Sequence, residues 1–240
     1  FILSMSTTSI QCLGFIMDGN RRWAIEQGKQ SLEGHQKGSE VFLDSIKWVE
    51  EAQIPHAVYY AFSTENWKRT VAEVSYLMEL FEQVLLRMQT HFETERASSE
   101  MTTNIHIQFI GNRTDFSASL QTLMGEIEKV NDMYPTPTST IWVALSYGGR
   151  AEIIAAVNQA VVVGNKVTEE SFESMLQTSA LPDPDMIVRT SGEHRLSNFL
   201  TWKSVYSELL FIDKHWPALT KDDFKDILTT YESRERRKGV

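Results

Sequence analysis

The stretch LGFIMDGNRRWA, residues 13–24, decides the fold of this 240-residue chain. It opens with the apolar run Leu13–Met17, which has the length of a buried β-strand. Asp18-Gly19-Asn20 follows, with the glycine that a tight turn favours, and a basic helix start comes next. A buried strand, a turn and a helix in immediate succession indicate a βα unit of a parallel sheet.

The same alternation continues along the chain. Apolar, β-rich runs recur at Ala57–Phe62, Ile105–Ile110, Thr140–Ser146, Met186–Arg189 and Val205–Phe211, with helical periodicity near 35–52, 71–96, 116–132, 149–163, 168–177 and 220–236. This pattern predicts an α/β fold, a single domain with a mostly parallel central sheet of about six strands flanked by helices. We expect the domain to cover residues 1–240, with residues 1–12 a flexible N-terminal segment.

Composition limits the classes of protein that the chain can belong to. At 42% hydrophobic and 23% charged residues it is an ordinary globular protein. The single cysteine, Cys12, excludes an internal disulfide and fits a reducing, cytoplasmic compartment. A net charge of −9 argues against a nucleic-acid surface, so an anionic substrate needs a locally basic pocket. No apolar run reaches the roughly 18 residues that span a bilayer.

Polar clusters follow four of the predicted strands. They are Asp18-Gly19-Asn20, Ser63-Thr64-Glu65-Asn66, Tyr147-Gly148-Gly149-Arg150 and Thr190-Ser191-Gly192-Glu193. Ligands of parallel α/β sheets bind outside the carboxyl ends of the strands, so we predict that these clusters form one composite site. The alternative interpretation is four ordinary surface loops.

The first cluster combines groups for a metal and for phosphate. Asp18 has the hard oxygens that Mg²⁺ prefers, Gly19 permits close backbone approach, and Arg22 is a fork-shaped donor for a diphosphate. Free N–H groups at the start of the next helix also attract phosphate oxygens. An Asp-Gly turn before a basic surface helix explains the same residues without a ligand, and both interpretations stay open.

The cluster after the fifth strand is also rich in donors. Arg189 ends an apolar strand without an acidic neighbour in sequence, and Arg195 and Ser197 follow in a loop, so an anion is expected here. Glu208 stands in the apolar sixth strand, where a carboxylate is costly unless it is paired or bound to a metal. The alternative role for Glu208 is a structural salt bridge with one of these arginines.

The predicted helix at 71–96 carries an apolar face roughly 33 Å long at 1.5 Å per residue. Its residues recur three and four positions apart: Val71, Val74, Met78, Phe81, Leu85, Met88 and Phe92, widened by Leu77, Leu80 and Val84. Core packing is the simpler interpretation of such a face. The other interpretation is that part of it lines an apolar tunnel.

Two charged runs near the C-terminus have ordinary explanations. The DDxxD pattern at 222–226 fits helix-start chemistry, because Thr220 and Asp223 match a capping box. The basic run at 234–239 suits a solvated helix end, or it could reach over a diphosphate in a neighbouring subunit. Phosphate-binding loops, dinucleotide fingerprints, serine nucleophile elbows and HExxH zinc motifs are absent from the sequence.

Together these motifs resemble the cis-prenyltransferase family, whose bacterial members make undecaprenyl diphosphate. The resemblance runs from about Ile16 to Gly239 through the segments IMDGNRRWA, GHQKG, YAFSTENWKR, FIGN, YGGR and RTSGEHRLSNFLTWKSVYSELLF. It implies a Mg²⁺-dependent enzyme that condenses isopentenyl diphosphate onto an allylic diphosphate such as farnesyl diphosphate. The product would be a long polyprenyl diphosphate, the type of lipid carrier used in cell-wall synthesis. The resemblance further implies a homodimer and peripheral contact with the membrane that receives the product.

The resemblance also implies roles for matching residues. Asp18 and Asn66 would be catalytic, and Asp18 would hold Mg²⁺ with help from Glu208. The residues expected to bind the diphosphate substrates are Gly19, Asn20, Arg22, Trp23, His35, Ser63, Glu65, Trp67, Arg69, Arg189, Arg195 and Ser197. The residues expected to line the product tunnel are Ala61, Leu77, Leu80 and Phe81. Arg237-Lys238-Gly239 matches a family pattern that could complete the site across the dimer.

The sequence departs from the family pattern in several places. Ser31 stands where many members have an arginine that contacts the starter diphosphate, a loss that Lys29 or Lys37 could offset. The other departures are Arg21 for a common glycine, Ser146 for the usual asparagine, and Cys12 for a frequent histidine. A synthase of shorter product, and a non-catalytic partner subunit of a heteromeric synthase, are the alternatives. Such partner subunits typically lack the aspartate and the intact RTSGE stretch that this chain keeps.

Overall fold

The computed structural model describes residues 9–98, 104–133, 135–164 and 166–234. Its described strands form one sheet in the order β3-β4-β2-β1-β5-β6, and each pairing is parallel. The strands are β1 (Cys12–Ile16), β2 (His56–Ser63), β3 (Ile105–Ile110), β4 (Ser139–Tyr147), β5 (Met186–Thr190) and β6 (Glu208–Ile212). The predicted α/β class with about six parallel strands is confirmed.

Helices connect the strands at nearly the predicted places. They are α1 (Asn20–Glu26), α2 (Ser31–Glu51), α3 (Val71–Ser98), α4 (Ala118–Lys129), α5 (Gly149–Val163), α6 (Glu169–Glu173) and α7 (Lys221–Glu232). Helix α2 begins four residues before the predicted position 35, because Gln30 and Glu33 form a capping box at its start. Helix α6 is shorter than the predicted 168–177, since turns replace its second half.

Two boundary predictions were wrong. Strand β6 starts at Glu208 rather than Val205, because the preceding residues form hydrogen-bonded turns, such as Ser207 N–H to Ser204 at 3.2 Å. Residues 10–12, predicted within a flexible segment, are held in place: Ile10 is fully buried, and the Cys12 N–H donates to the Asp185 carboxylate at 3.0 Å. Residues 1–8 of that predicted segment lie outside the described residues.

Both faces of the sheet are covered, which explains why its strands are apolar without strict alternation. Each residue of β1 and of β5 is buried. On one face Phe15 stacks on Tyr59 with ring centroids 5.0 Å apart, over α2, α3, α4 and α7. On the other face Tyr60 stacks on Phe199 at 4.7 Å.

Glycines in α2 allow α1 to lie directly against it. A Cβ at Gly34 would come within 2.0 Å of the Asn20 carbonyl oxygen, and one at Gly38 within 2.1 Å of Asn20 Oδ1. Any larger residue would therefore displace α1. This contact explains the two glycines of the GHQKG segment, and it places His35, which lies between them, beside the turn that follows β1.

The connections reverse direction between β1 and β5. From β1 the chain proceeds to β2 on one side, whereas β5 and β6 lie on the other side. A ligand crevice is expected outside the carboxyl ends of strands at such a switch point. Ile16 is in register with Arg189, so Asp18 and Arg189 both lie at this edge. Among the described residues, no helix is both long enough and apolar enough to cross a membrane.

Candidate active site

An ion pair occupies the switch point between β1 and β5. Arg189 Nη2 donates to Asp18 Oδ2 at 2.7 Å, while Asp18 Oδ1 accepts from the Gly19 N–H at 2.7 Å and lies 3.4 Å from Arg22 Nη2. Burial by itself raises the pKa of Asp18, but the hydrogen bond and charge of Arg189 outweigh it, so the net pKa lies below the ordinary value. Asp18 is therefore a carboxylate at neutral pH.

Arg189 is almost completely buried, with 4% of its side chain exposed. Its Nη1 donates to the Arg195 carbonyl at 2.5 Å and to Ser197 Oγ at 2.7 Å, while its Nε has no hydrogen-bond partner. A buried guanidinium with a spare donor beside a carboxylate is suited to binding an anion.

Two more guanidinium groups lie close to this pair. Arg22 Nη1 is 3.0 Å from Glu193 Oε1, and Arg195 pairs with the other oxygen of Glu193. Three guanidinium groups thus face two carboxylates around Asp18. The surplus positive charge supplies the locally basic site that an acidic chain needs for an anionic substrate.

A second charged group surrounds His35 at the start of α3. Glu73 Oε1 lies 2.8 Å from Arg69 Nη1 and 3.9 Å from His35 Nε2, and Glu73 Oε2 lies 3.7 Å from Arg21. Burial lowers the pKa of His35 to about 4, the positive charge of Arg69 adds to this effect, and Glu73 opposes it. His35 is therefore a neutral imidazole at physiological pH, with a buried Nε2 that has no hydrogen-bond partner.

The loop after β2 is tied to its neighbours. It forms a short 3₁₀ turn over Thr64–Lys68, in which Asn66 Oδ1 accepts from the Ser63 N–H at 3.0 Å. Asn198 Nδ2 donates to Glu65 at 2.9 Å, which joins this loop to the one after β5. The four polar clusters predicted from the sequence thus meet at one edge of the sheet, as the bond from the Arg150 N–H to Asn198 at 2.8 Å shows for the cluster after β4.

These polar groups open into a cavity of about 670 Å³. Its predicted polar lining residues are Asp18, Asn20, His35, Ser63, Glu65, Asn66, Arg69, Arg189, Arg195 and Ser197, and its predicted apolar ones are Ala61, Leu77, Leu80 and Phe81. Val84, Leu85 and Met88 extend the wall along α3, which from Leu77 to Met88 is about 16 Å long. Part of the predicted apolar stripe of α3 therefore lines this cavity as well as packing the core, whereas Val71 at its start is exposed.

Some predicted site residues lie outside the cavity wall. Gly19 and Arg22 contact Asp18 at 2.7 and 3.4 Å, and Trp23 lies beneath the Lys29 ammonium, which is 5.6 Å from the centroid of its ring. Trp67 packs behind the wall, where its indole N–H donates to Ser146 Oγ at 2.8 Å. Trp67 therefore supports the loop that carries Asn66.

Glu208 is not brought to Asp18 within this chain. It lies at the amino end of β6, in register with Met186 at the far end of β5, and it pairs with Arg234 at 2.6 Å. The structural salt bridge left open by the sequence is therefore present, but with Arg234 rather than Arg189 or Arg195. The Arg237-Lys238-Gly239 segment lies outside the described residues.

The lysines considered as substitutes for an arginine at Ser31 point elsewhere. Lys37 pairs with Glu40 at 2.9 Å on the surface, and Lys29 lies over Trp23. Neither lines the cavity. The DDxxD pattern does act as a helix start, because the Asp223 N–H donates to Thr220 Oγ1 at 3.3 Å in a capping box of α7.

Several lining residues were missed by sequence reasoning. Trp216 contributes its ring, and its indole N–H donates to the Gly38 carbonyl at 2.9 Å. Phe42 forms part of the opposite wall on α2, and the Tyr60 hydroxyl donates to the Ser197 carbonyl at 3.3 Å. Of these three residues, only Phe42 could have been predicted from the sequence, because it lies on the apolar face of α2.

The donor set at Asp18 fits Mg²⁺ bound together with a phosphate ligand. Among the described residues, no group of three or more His, Cys, Asp and Glu side chains could hold a metal by itself. Mg²⁺ typically takes one or two carboxylates and completes its shell with water and substrate phosphate oxygens. A single ionised carboxylate next to several guanidinium groups meets that requirement.

The fold and site define a class of protein: a parallel α/β protein with an arginine–carboxylate cluster that opens into a partly apolar cavity. Residues 16–239 match the family described as "Putative undecaprenyl diphosphate synthase". An isoprenyl transferase from Thermotoga maritima is 41% identical over 234 residues, which cover 95% of this chain and 96% of that protein.

Two further proteins are similar along nearly the whole chain. A tritrans,polycis-undecaprenyl-diphosphate synthase (geranylgeranyl-diphosphate specific) from Picrophilus torridus is 39% identical, covering 95% of this chain and 89% of that protein. The structure of lavandulyl diphosphate synthase from Lavandula x intermedia, in complex with dimethylallyl diphosphate, superposes with a TM-score of 0.87 at 28% identity, covering 97% and 99% of the two chains. The chain belongs to the undecaprenyl diphosphate synthase family of prenyltransferases.

Proposed function

We propose that this prenyltransferase is Mg²⁺-dependent and adds isopentenyl units in cis to an allylic diphosphate, giving a long, undecaprenyl-type diphosphate. The observation that carries the proposal is that one cavity joins the Asp18–Arg189 ion pair to the apolar wall of α3. Such a cavity suits an amphipathic substrate with a diphosphate head and a hydrocarbon tail.

In the proposed reaction, a bond forms between C1 of the allylic substrate and the terminal alkene carbon of isopentenyl diphosphate. The C1–O bond breaks, and its electron pair leaves with the diphosphate. The C2–H bond of the isopentenyl unit then breaks, its electrons form the new C2=C3 double bond, and the proton passes to a diphosphate oxygen. Arg22 and the neutral His35 would orient the allylic diphosphate, while Arg189, Arg195 and Ser197 would hold isopentenyl diphosphate. Arginines fixed before the reaction stabilise charge that develops on the leaving group.

When bound at Asp18, Mg²⁺ would supply additional charge neutralisation for the diphosphate. The apolar walls have two functions in this proposal. They exclude water from the cation-like allylic carbon, and they bind the growing chain, at roughly 4 kcal/mol for each fully buried five-carbon unit. The small side chain of Ala61 narrows the cavity little, which favours a long product over a short one.

We further propose that the enzyme is a homodimer. Residues next to Glu208 expose apolar side chains: Val205 is 71% and Tyr206 is 76% exposed. They adjoin β6, an edge strand of the sheet. Apolar side chains beside an open strand edge are typical of a surface covered by a second subunit.

The test is an elongation assay with farnesyl diphosphate, radiolabelled isopentenyl diphosphate and Mg²⁺. We expect long polyprenyl products from the wild-type chain and none from Asp18→Asn or after EDTA treatment. Asp226→Asn, a matched change on the exposed face of α7, should leave the products unchanged. Short products would correct the product length, and no product from the folded wild-type chain would refute catalysis and favour a partner-subunit role.

A further inference from the structure

Three side chains form a hydrogen-bonded row directly beneath the turn that follows β1. The Ser191 hydroxyl, in the loop after β5, is 2.7 Å from His215 Nδ1, in the loop after β6. His215 Nε2 is 3.0 Å from Glu26 Oε1, in the last residue of α1. The row thus joins three separate elements around the Asp18-Gly19 turn, and none of its members lines the cavity.

Serine, histidine and glutamate are also the residue types of a hydrolytic triad, but the geometry excludes that role here. Ser191 is only 5% exposed. Its hydroxyl faces Gly19, because a Cβ built on Gly19 would be 2.6 Å from Ser191 Oγ and 2.6 Å from His215 Nδ1. A substrate carbonyl cannot reach such a hydroxyl, so the row must act through the groups that it touches.

Ser191 has a strained backbone that its contacts hold in place. Its φ is +80°, a left-handed conformation that costs a non-glycine residue about 1 kcal/mol or more. Its N–H donates to the Lys214 carbonyl at 3.0 Å, and its carbonyl accepts from Arg22 Nη1 at 3.1 Å. The His215 bond is the third contact, and it sets where this carbonyl meets Arg22.

The same segment contacts the Asp18 backbone. The Trp216 N–H, one residue after His215, donates to the Asp18 carbonyl at 3.0 Å. We propose that His215 is a positioning residue, which through Ser191 holds Arg22 and the Asp18-Gly19 turn in the geometry that binds diphosphate. The catalytic meaning of this inference rests on the proposed function, whereas its effect on diphosphate binding can be measured separately.

The two ring nitrogens of His215 can be tested one at a time. His215→Asn keeps a polar atom at the Nδ1 position and so keeps the bond to Ser191, whereas His215→Gln keeps one near Nε2 and so keeps the bond to Glu26. Each variant retains one of the two hydrogen bonds. Thermal unfolding, calorimetric affinity for inorganic diphosphate in Mg²⁺ buffer, and kcat and KM for elongation are measured for both.

We expect the diphosphate affinity of His215→Asn to stay within about twofold of wild type. His215→Gln should bind diphosphate about tenfold more weakly, because it loses one hydrogen bond. Ser191→Ala should reproduce the loss, and the double variant Ser191→Ala/His215→Gln should add little to it. Equal affinities in both His215 variants, or losses that only follow the unfolding temperatures, would overturn the inference. If elongation fails in the wild type while the affinity order holds, only the proposed function is refuted.

Discussion

Replacing His35 with glutamine tests whether a neutral imidazole is buried beside the cavity. Burial, followed by the charge of Arg69, lowers the pKa of His35 from 6.5 to about 4 in the folded protein. In the unfolded chain the same group takes up a proton near pH 6.5. The unfolded state therefore binds more protons than the folded state between these two values.

The sign and size of the effect follow from this difference. The contribution of neutral His35 to the free energy of unfolding is present above pH 6.5, and it is lost as the pH falls from 6.5 towards 4. At 1.36 kcal/mol per pH unit, the loss between pH 7.5 and pH 4.5 amounts to about 2.5 kcal/mol. Only 13% of the side chain is exposed, so solvent screens the effect little.

Urea unfolding of wild type and His35→Gln at pH 7.5 and pH 4.5 measures this contribution. Other groups titrate equally in the two proteins, so the difference between their pH-dependent losses isolates His35. The wild type should lose about 2.5 kcal/mol more than the variant. Equal losses in the two proteins would show that His35 is not held neutral, and would remove the basis for treating it as an uncharged ligand of diphosphate.

Three further predictions, one of them with a matched control substitution, follow from the packing. Gly34→Ala should lower the free energy of unfolding in urea by about 2–4 kcal/mol, because the new Cβ meets a backbone atom 2.0 Å away. The control Gly125→Ala in α4 meets nothing within 4 Å and should raise the free energy of unfolding by about 1 kcal/mol. Losses of equal size in the two variants would contradict this prediction. Tyr147→Phe removes the hydroxyl that donates to the buried Glu152 carboxylate at 2.5 Å, and it should lower the free energy of unfolding by about 1–3 kcal/mol. An unchanged free energy of unfolding would disprove this. Ala61→Leu should narrow the cavity and shift products to shorter chains in mass spectra, and unaltered lengths would place the tunnel elsewhere.

The sequence was sufficient to predict the sheet and the edge at which the site lies. Strands such as Met186–Thr190, buried on both faces, appear as short apolar runs, and polar clusters appear directly after them. Because parallel strands end at a common edge, residues as distant as Asp18 and Arg189 could be assigned to one site without knowledge of the strand order.

Contacts that depend on register or on loop paths could not be predicted. The position of Glu208 within its strand was overlooked, because an apolar run shows no sign of which end of the sheet a residue occupies. Likewise, Glu73 and His215 appear in sequence as ordinary surface residues of a helix and a loop. Their partners, Arg69 and Ser191 among them, are fixed only when separate elements pack.

Among the described strands, β1 is synthesised first yet lies in the middle of the sheet, and this order affects how the protein can fold during translation. Its second neighbour, β5, carries Arg189, which is 171 residues after Asp18. At 5–20 residues per second, translation leaves one edge of β1 unpaired for roughly 10–30 seconds. An open, apolar strand edge is a template for aggregation, so the nascent chain has a long interval in which chaperones can bind it. The ion pair between Asp18 and Arg189 can form only after β5 has been synthesised.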